Sequence, residues 1–330
     1  MKASYLLSAI AFAVTVTAAQ PHWVRISAQR ISNWPLLGPG SGWKDLATFN
    51  PAAIRVGNKT VLLFRAQDRH HVSRIGYAES TDGIHFKVRP QPVLSPQASY
   101  EKGGGVEDPR IVRIDGTYYL TYTGYNLHDA QLCLATSKDL IHWKRRGVIL
   151  PAYQGTWNIQ WTKSGAILPQ KVNGKWWMYY LGTKKDRNGM LRDYMGLASS
   201  TDLLHWKDAA AQPVLKRRPG AFDSRVMEPG PPPIMTKAGI LLLYNGADDH
   251  LVYGPGWVLF DRHNPAHVLA RADQAFIAPS LKWEKSGNVP NVIFLEGAIV
   301  DSAHDGKLDL TGYYGAADKY LGGMRIHIAE

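Results

Sequence analysis

Five times along the chain a short turn leads into a dense run of β-branched and aromatic residues, and this recurrence limits the fold more than any other feature. The runs are Val61–Ala66, Tyr118–Thr123, Trp176–Leu181, Ile240–Asn245 and Leu308–Tyr314. Before them stand Gly57-Asn58, Asp115-Gly116, Asn173-Gly174, Lys237-Ala238-Gly239 and Asp305-Gly306. Asn-Gly and Asp-Gly supply the positive φ that a two-residue hairpin turn requires, so the pattern predicts one hairpin per unit. A second repeat follows three of the hairpins. It reads Ala78-x-Ser80-x-Asp82-x-x-His85-Phe86, Ala135-x-Ser137-x-Asp139-x-x-His142-Trp143 and Ala198-x-Ser200-x-Asp202-x-x-His205-Trp206. Each copy reads as a strand ending in a turn, and the copies recur roughly every 60 residues. Units of this size predict an all-β fold, a five-bladed β-propeller, with a pair of β-sandwiches as the alternative. Strong amphipathic helical patterns are absent, which disfavours an α/β barrel.

The 330 residues fit one large β architecture, and 45% apolar with 20% charged residues excludes disorder as the main state. A basic start, an apolar run from Tyr5 to Val16 and small residues up to Ala19 read as a secretory signal peptide over residues 1–19. Residues 20–330 are then one propeller domain, exported to the periplasm or beyond the cell. No later run reaches the roughly 20 apolar residues that span a bilayer, so stable membrane insertion is not expected. Cys133 is the sole cysteine, which excludes an intramolecular disulfide and reads as a small buried residue. The formal charge is +11, but the basic residues are scattered apart from short clusters such as Lys144-Arg145-Arg146 and Lys216-Arg217-Arg218. They read as a solvated basic surface, with no nucleic-acid partner. His85, His142 and His205 hold the same repeat position, which suits a structural turn, and their spacing is not that of metal ligands. Neither a cofactor nor a metal is called for.

In a propeller the segment before each hairpin is the innermost strand, and equivalent ends of these strands converge on the axis. The segments are Phe49–Ala52, Val106–Pro109, Thr162–Gly165, Met227–Gly230 and Phe294–Gly297. Three of them carry carboxylates: Glu107 and Asp108, Glu228, and Glu296. Carboxylates gathered at one place raise at least one pKa and are candidates for acid–base chemistry.

Together these residues resemble glycoside hydrolase family 130, the β-mannoside phosphorylases and β-mannosidases built on a five-bladed propeller. The resemblance runs through Asn50-Pro51-Ala52, Leu63-Phe64-Arg65-Ala66, Gly105-Val106-Glu107-Asp108-Pro109-Arg110, Gly230-Pro231-Pro232-Pro233 and Tyr313–Asp318. It implies that Asp108 is the catalytic acid, its proton passing through the sugar's 3-hydroxyl. It also implies that Asn50, Arg65, Asp68 and Asp318 hold the mannosyl ring, and Tyr125 joins this substrate-binding set. Trp157, Trp161, Trp176 and Trp177 are candidates for stacking sugars in outer subsites.

The chain departs from the family's phosphorylases where they carry phosphate-binding basic residues. Tyr180-Leu181 stands in place of His-Arg, Met235 in place of Lys, and Asn245-Gly246 in place of His-Gly. Glu228 and Glu296 add negative charge instead, as in the family's hydrolases, and a carboxylate opposite the acid is what an inverting hydrolase needs. The resemblance therefore implies an exported inverting hydrolase releasing mannose from β-linked manno-oligosaccharides, β-1,2 preferred, with Glu228 or Glu296 as base. A β-mannoside phosphorylase and a non-catalytic carbohydrate-binding propeller are the alternatives. An arabinan-active five-bladed hydrolase is disfavoured by the Glu-Asp-Pro-Arg and Pro-Pro-Pro elements.

Overall fold

A computed structural model describes residues 24–330 apart from Thr156, and the leader expected over residues 1–19 lies outside them. The chain opens with β1 (Arg25–Arg30) and then runs through five groups of strands. The first holds β2 (Ala47–Val56), β3 (Lys59–Gln67), β4 (Ser73–Ser80) and β5 (Lys87–Val88). The second holds β6 (Gly105–Ile114), β7 (Thr117–Tyr125), β8 (Ala130–Ser137) and β9 (Lys144–Leu150). The third holds β10 (Thr162–Ile167), β11 (Trp176–Lys185), β12 (Leu191–Ser200) and β13 (Lys207–Asp208). The fourth holds β14 (Val226–Pro229), β15 (Ile234–Met235), β16 (Ile240–Ala247), β17 (Tyr253–Phe260) and β18 (Val268–Arg271). The short helix α1 (Lys282–Lys285) precedes the fifth, made of β19 (Ile293–His304), β20 (Lys307–Ala316) and β21 (Tyr320–Ala329).

Each group is an antiparallel meander, so the chain is all-β as the hairpin repeat predicts. A single parallel bridge, Ser73 to Gly105, joins the first two groups. The fifth is completed by β1, which pairs with β21 from Arg25–Ala329 to Arg30–Met324. Both ends of the described chain are thereby fixed in one sheet. No helix among the described residues is long and apolar enough to cross a membrane.

The turns form as their residues dictate. Asp115 and Gly116 have φ of 47° and 70°, Asn173 and Gly174 of 51° and 74°, and Asp305 and Gly306 of 47° and 75°. These are the paired left-handed conformations of a type I′ turn, which matches the strand twist. Period-2 alternation then sends neighbouring side chains into different layers. Val61 and Leu63 of β3 pack with Val106, Leu120 and Tyr122 of the second group, whereas Leu62 and Phe64 pack with Ile299 and Tyr313 of the fifth. Further layers join the second group to the third, the third to the fourth and the fourth to the fifth. Cys133 lies inside one of these layers, its thiol pushed up to about 12 by burial, and is inert packing.

A buried tyrosine–acid pin recurs in the middle strands. Tyr122 donates to Glu101 at 2.7 Å and Tyr314 to Glu284 at 3.0 Å. Tyr244 donates to Asp223 at 2.5 Å, and Tyr180 donates to Asp208. Arginines complete three of them, Arg145 on Glu101, Arg30 on Glu284 and Arg271 on Asp223. Phe64 takes the equivalent place in the first group and stacks on Trp43 at 6.1 Å.

The three histidine repeats form turns at the opposite strand ends. Asp82, Asp139 and Asp202 each accept from two backbone amides at 2.8 to 2.9 Å. The other oxygen of each meets the histidine Nδ1 at 2.6 to 2.7 Å.

Glu101→Ala tests the pins. It strips Arg145 and two backbone amides of their buried acceptor, and should cost roughly 3 kcal/mol of unfolding free energy. Urea denaturation measures this, and a change within about 0.5 kcal/mol, typical of an exposed site, would contradict the role assigned.

Candidate active site

The first strands of the groups meet one another, β2 with β6 and β19, β6 with β10 and β19, and β10 with β14. Four of them are broken by a β-bulge at the residue of interest. Pairing skips Asn50 in β2, Asp108-Pro109 in β6, Ser164-Gly165 in β10 and Glu296 in β19. Asn50, Asp108 and Ser164 take φ of 45°, 49° and 58° there. A bulge re-aims a side chain that regular pleating would send into a layer between sheets, and holding such φ costs about 1 kcal/mol or more per residue. In the fourth group Glu228 lies one residue before the end of β14, after which the prolines interrupt pairing until Ile234.

These residues gather around Asp108. Asn50 Nδ2 donates to Asp108 Oδ1 at 2.8 Å. Arg65 donates to the same oxygen at 3.1 Å, to Glu107 Oε1 at 2.5 Å and to Ser73 Oγ at 3.0 Å. Arg110 is 1% exposed and donates to the carbonyls of Asp108 at 3.1 Å, Pro229 at 2.7 Å and Gly230 at 3.1 Å. Its guanidinium lies 3.5 Å from Glu296. Ser164 Oγ donates to Glu228. The glycine run before Asp108 is needed for close packing. A Cβ at Gly104 would lie 2.2 Å from the Tyr125 ring, and one at Gly105, whose φ is 112°, 2.2 Å from the Ser73 carbonyl oxygen.

Electrostatics divides the carboxyls. Burial pushes Asp108 up, but Arg65 and the Asn50 hydrogen bond outweigh it and hold the carboxyl below its ordinary range. Burial raises Glu228, against the pull of Lys163, Arg110 and Ser164. It raises Glu296 well above the usual range despite Arg110, and neither Glu296 oxygen has a hydrogen-bond donor among the described residues. Glu107 is also raised by burial, and half-buried Asp318 is pushed up to about 6. Asp108 is thus the carboxyl held towards its ionised form, while burial shifts its carboxyl neighbours towards the protonated one.

Most residues singled out in the sequence come together here. Asn50, Arg65, Asp108, Glu228, Glu296 and Asp318 are electrostatic or hydrogen-bonding neighbours. Asp68 is engaged in its own hairpin turn, where it accepts from the amides of His70 and Val72 at 3.0 and 3.1 Å and from Arg74 at 2.8 Å. Tyr125 stands half-exposed at the end of β7, its ring edge-on to Trp161 at 6.3 Å. Trp157 is buried, stacked on Tyr180 at 6.0 Å, and is a packing residue.

Sequence reasoning passed over Lys163. It lies 6.0 Å above the Trp161 ring, and Glu228, Asp193, Asp108 and Glu107 raise its pKa against the opposing effect of burial, so it stays charged. Its place in the third of the aligned inner segments was the available signal. Asn245 is occupied by structure, stitching β16 to the Leu295 backbone at 2.9 and 2.8 Å. With Arg65 and Arg110 both bound to protein acceptors, Lys163 is the cation of this group without a hydrogen bond among the described residues.

A family model described as β-1,4-mannooligosaccharide phosphorylase, Glyco_hydro_130, matches residues 17–330. The chain is 39% identical over 312 residues to a 1,2-β-oligomannan phosphorylase of Thermoanaerobacter sp. (strain X514), covering 90% of this chain and 96% of the relative. A β-1,2-mannobiose phosphorylase of the same organism is 34% identical over 89% and 95% of the two chains. Among solved structures, one comes from work finding that the GH130 family of mannoside phosphorylases contains glycoside hydrolases that target β-1,2 mannosidic linkages in Candida mannan. It superposes with a TM-score of 0.81 at 33% identity, covering 93% of this chain and 95% of that one.

The raised carboxyls give a stability signature. A folded state that binds more protons than the unfolded chain loses stability as pH rises above the ordinary carboxylate pKa. Glu296→Gln removes one such group. Its advantage in melting temperature over the parent should grow from about pH 4.5 to about pH 7.5. A margin equal at both pH values would contradict the buried, raised carboxyl.

Proposed function

The chain belongs to glycoside hydrolase family 130, and from that premise we propose that it is an exported inverting hydrolase that releases mannose from β-linked manno-oligosaccharides, β-1,2 preferred. The five meanders are read as the blades of one propeller, and the leader-like start supports export. One observation carries the choice of water as nucleophile: Glu228 and Glu296 lie beside Asp108 while Arg65 and Arg110 are bound to protein acceptors. An attacking phosphate would meet a cluster of carboxyl groups with little unoccupied basic capacity to hold it.

In this reading the reactive complex carries a proton on Asp108 and none on Glu228, the one gaining what the other gives up, so that Asp108 delivers the proton and ionised Glu228 activates water on the opposite face of the ring. Glu228 keeps 7% exposure whereas Glu296 has none, which makes Glu228 the better placed to meet water. Glu296 then serves as a protonated neighbour. Asp108 starts ionised, so its role requires a gain of proton affinity on substrate binding. A sugar that excludes water supplies it, by desolvating a carboxyl already in contact with raised neighbours. Asn50, Arg65 and Asp318 frame the mannosyl site, with Tyr125 and Trp161 at its side.

Phosphorolysis is the second reading, and the relatives named as phosphorylases favour it over hydrolysis. Lys163 is the residue able to serve it, as a cation without a hydrogen-bonded protein partner among the described residues. The test is mannose release from β-1,2-mannobiose with and without phosphate. We expect the same rate in both, and a roughly 10²–10⁴-fold loss in Asp108→Asn. Mannose 1-phosphate formed only when phosphate is present would overturn hydrolysis in favour of phosphorolysis, and an unaffected Asp108→Asn would remove Asp108 from the chemistry.

A further inference from the structure

A cleft of about 710 Å³ opens at the third meander, between the β11–β12 hairpin and the segment leading to β14. Five cationic side chains line it, Lys184, Lys185, Arg187, Lys216 and Arg217, against one carboxylate, Asp186. That carboxylate is already matched: Arg192 donates to it at 3.1 Å, and the amides of Asn188 and Met190 bond it at 2.9 and 3.0 Å. Two of the cations are held in place. Arg217 lies 5.5 Å above the Tyr194 ring and donates to the Ser224 carbonyl at 2.7 Å, with its buried Nε unpartnered among the described residues. Lys184 donates to Gln212 at 2.8 Å. Gathering like charges in a concave, partly ordered wall is electrostatically unfavourable without an anion to meet them.

Position relates the cleft to the candidate active site. Leu181 pairs with Lys163, and Lys184 follows three residues further along β11, roughly 10 Å at the rise of a strand. On the other wall Ser224, which holds Arg217, precedes Glu228 by four residues. A short oligosaccharide leaving the site spans that distance. The volume is that of a small-molecule pocket, and Tyr194, Pro213 and Pro219 offer apolar faces to a sugar ring.

We propose that this cleft binds an oxyanion, a phosphoryl or carboxyl group, carried on the saccharide chain beyond the bond that is cleaved. The inference rests on the mannoside reading for the identity of the chain and adds that charged mannosides are preferred ligands. Arg217 supplies the oriented donor, and Lys185 and Lys216 supply mobile charge at the exposed rim.

The test is calorimetric titration of the full-length protein with β-1,2-mannotriose in three forms: neutral, bearing a 6-phosphate on the reducing unit, and ending in a uronic acid. The charged forms should bind about tenfold tighter than the neutral one at low salt, and the advantage should shrink as salt is added. Lys185→Glu combined with Lys216→Glu should erase the preference far more than it changes binding of the neutral trisaccharide. A stronger preference for one charged form identifies the oxyanion. Equal binding of charged and neutral forms, or a preference that survives in the double variant, would overturn the proposal. Because binding is read directly, a protein that binds the charged form but turns over none of the three counts against the proposed reaction and leaves the cleft supported.

Discussion

The guanidinium of Arg110 is the tie on which the centre of the molecule depends. It is almost fully buried, it joins the carbonyls of Asp108, Pro229 and Gly230, and it is the charge nearest Glu296. Two strands far apart in sequence, β6 and β14, are thereby tied to one another. Arg65 does the same between β3 and β6, bonding Asp108 and Glu107 while stacking over Phe49 at 4.8 Å. Buried carboxylates are costly unless paired, so the arginines fix which of them stays charged. Asp108 lies beside Arg65 and is ionised, whereas Glu228 and Glu296 are farther from full compensation and are raised.

The bulges explain how these charges reach one another. Regular alternation would bury Asn50, Asp108, Ser164 and Glu296 between sheets, where polar groups lack partners. One extra residue at each position turns them aside, and Pro or Gly beside each is the chemical trace of the irregularity: Asn50-Pro51, Asp108-Pro109, Ser164-Gly165 and Glu296-Gly297. The segments that carry the bulges were legible in the sequence, because the hairpin turns mark which segment precedes each hairpin. The all-β class and the five units followed from Asp115-Gly116, Asn173-Gly174 and Asp305-Gly306, whose conformations are the ones their residues favour.

Other features were hidden for physical reasons. The pairing of β1 with β21 depends on contacts across almost the whole chain, which no local pattern encodes. Lys163 looked like one of many scattered lysines, since its significance comes from carboxylates on other strands. The bonds that tie Asp68 into its own Asx-type turn, a use to which short acidic side chains are well suited, are likewise visible only in the fold. Lys216-Arg217 was read as solvated surface, and only the fold sets it opposite Lys184 and Lys185 across a cleft.

What joins these observations is a site with more carboxyl groups than cations, which in the proposed reading divides proton transfer and water activation between different strands. Asp108 and Glu228 approach from different meanders, and a sugar between them would be protonated from one side and attacked from the other. The most direct test is proton NMR of a β-mannobioside digest in its first turnovers, before mutarotation mixes the anomers. The account predicts that α-mannose appears first, by inversion. Initial release of β-mannose would mean that a carboxylate attacks the sugar itself, and would contradict the division of labour between Asp108 and Glu228.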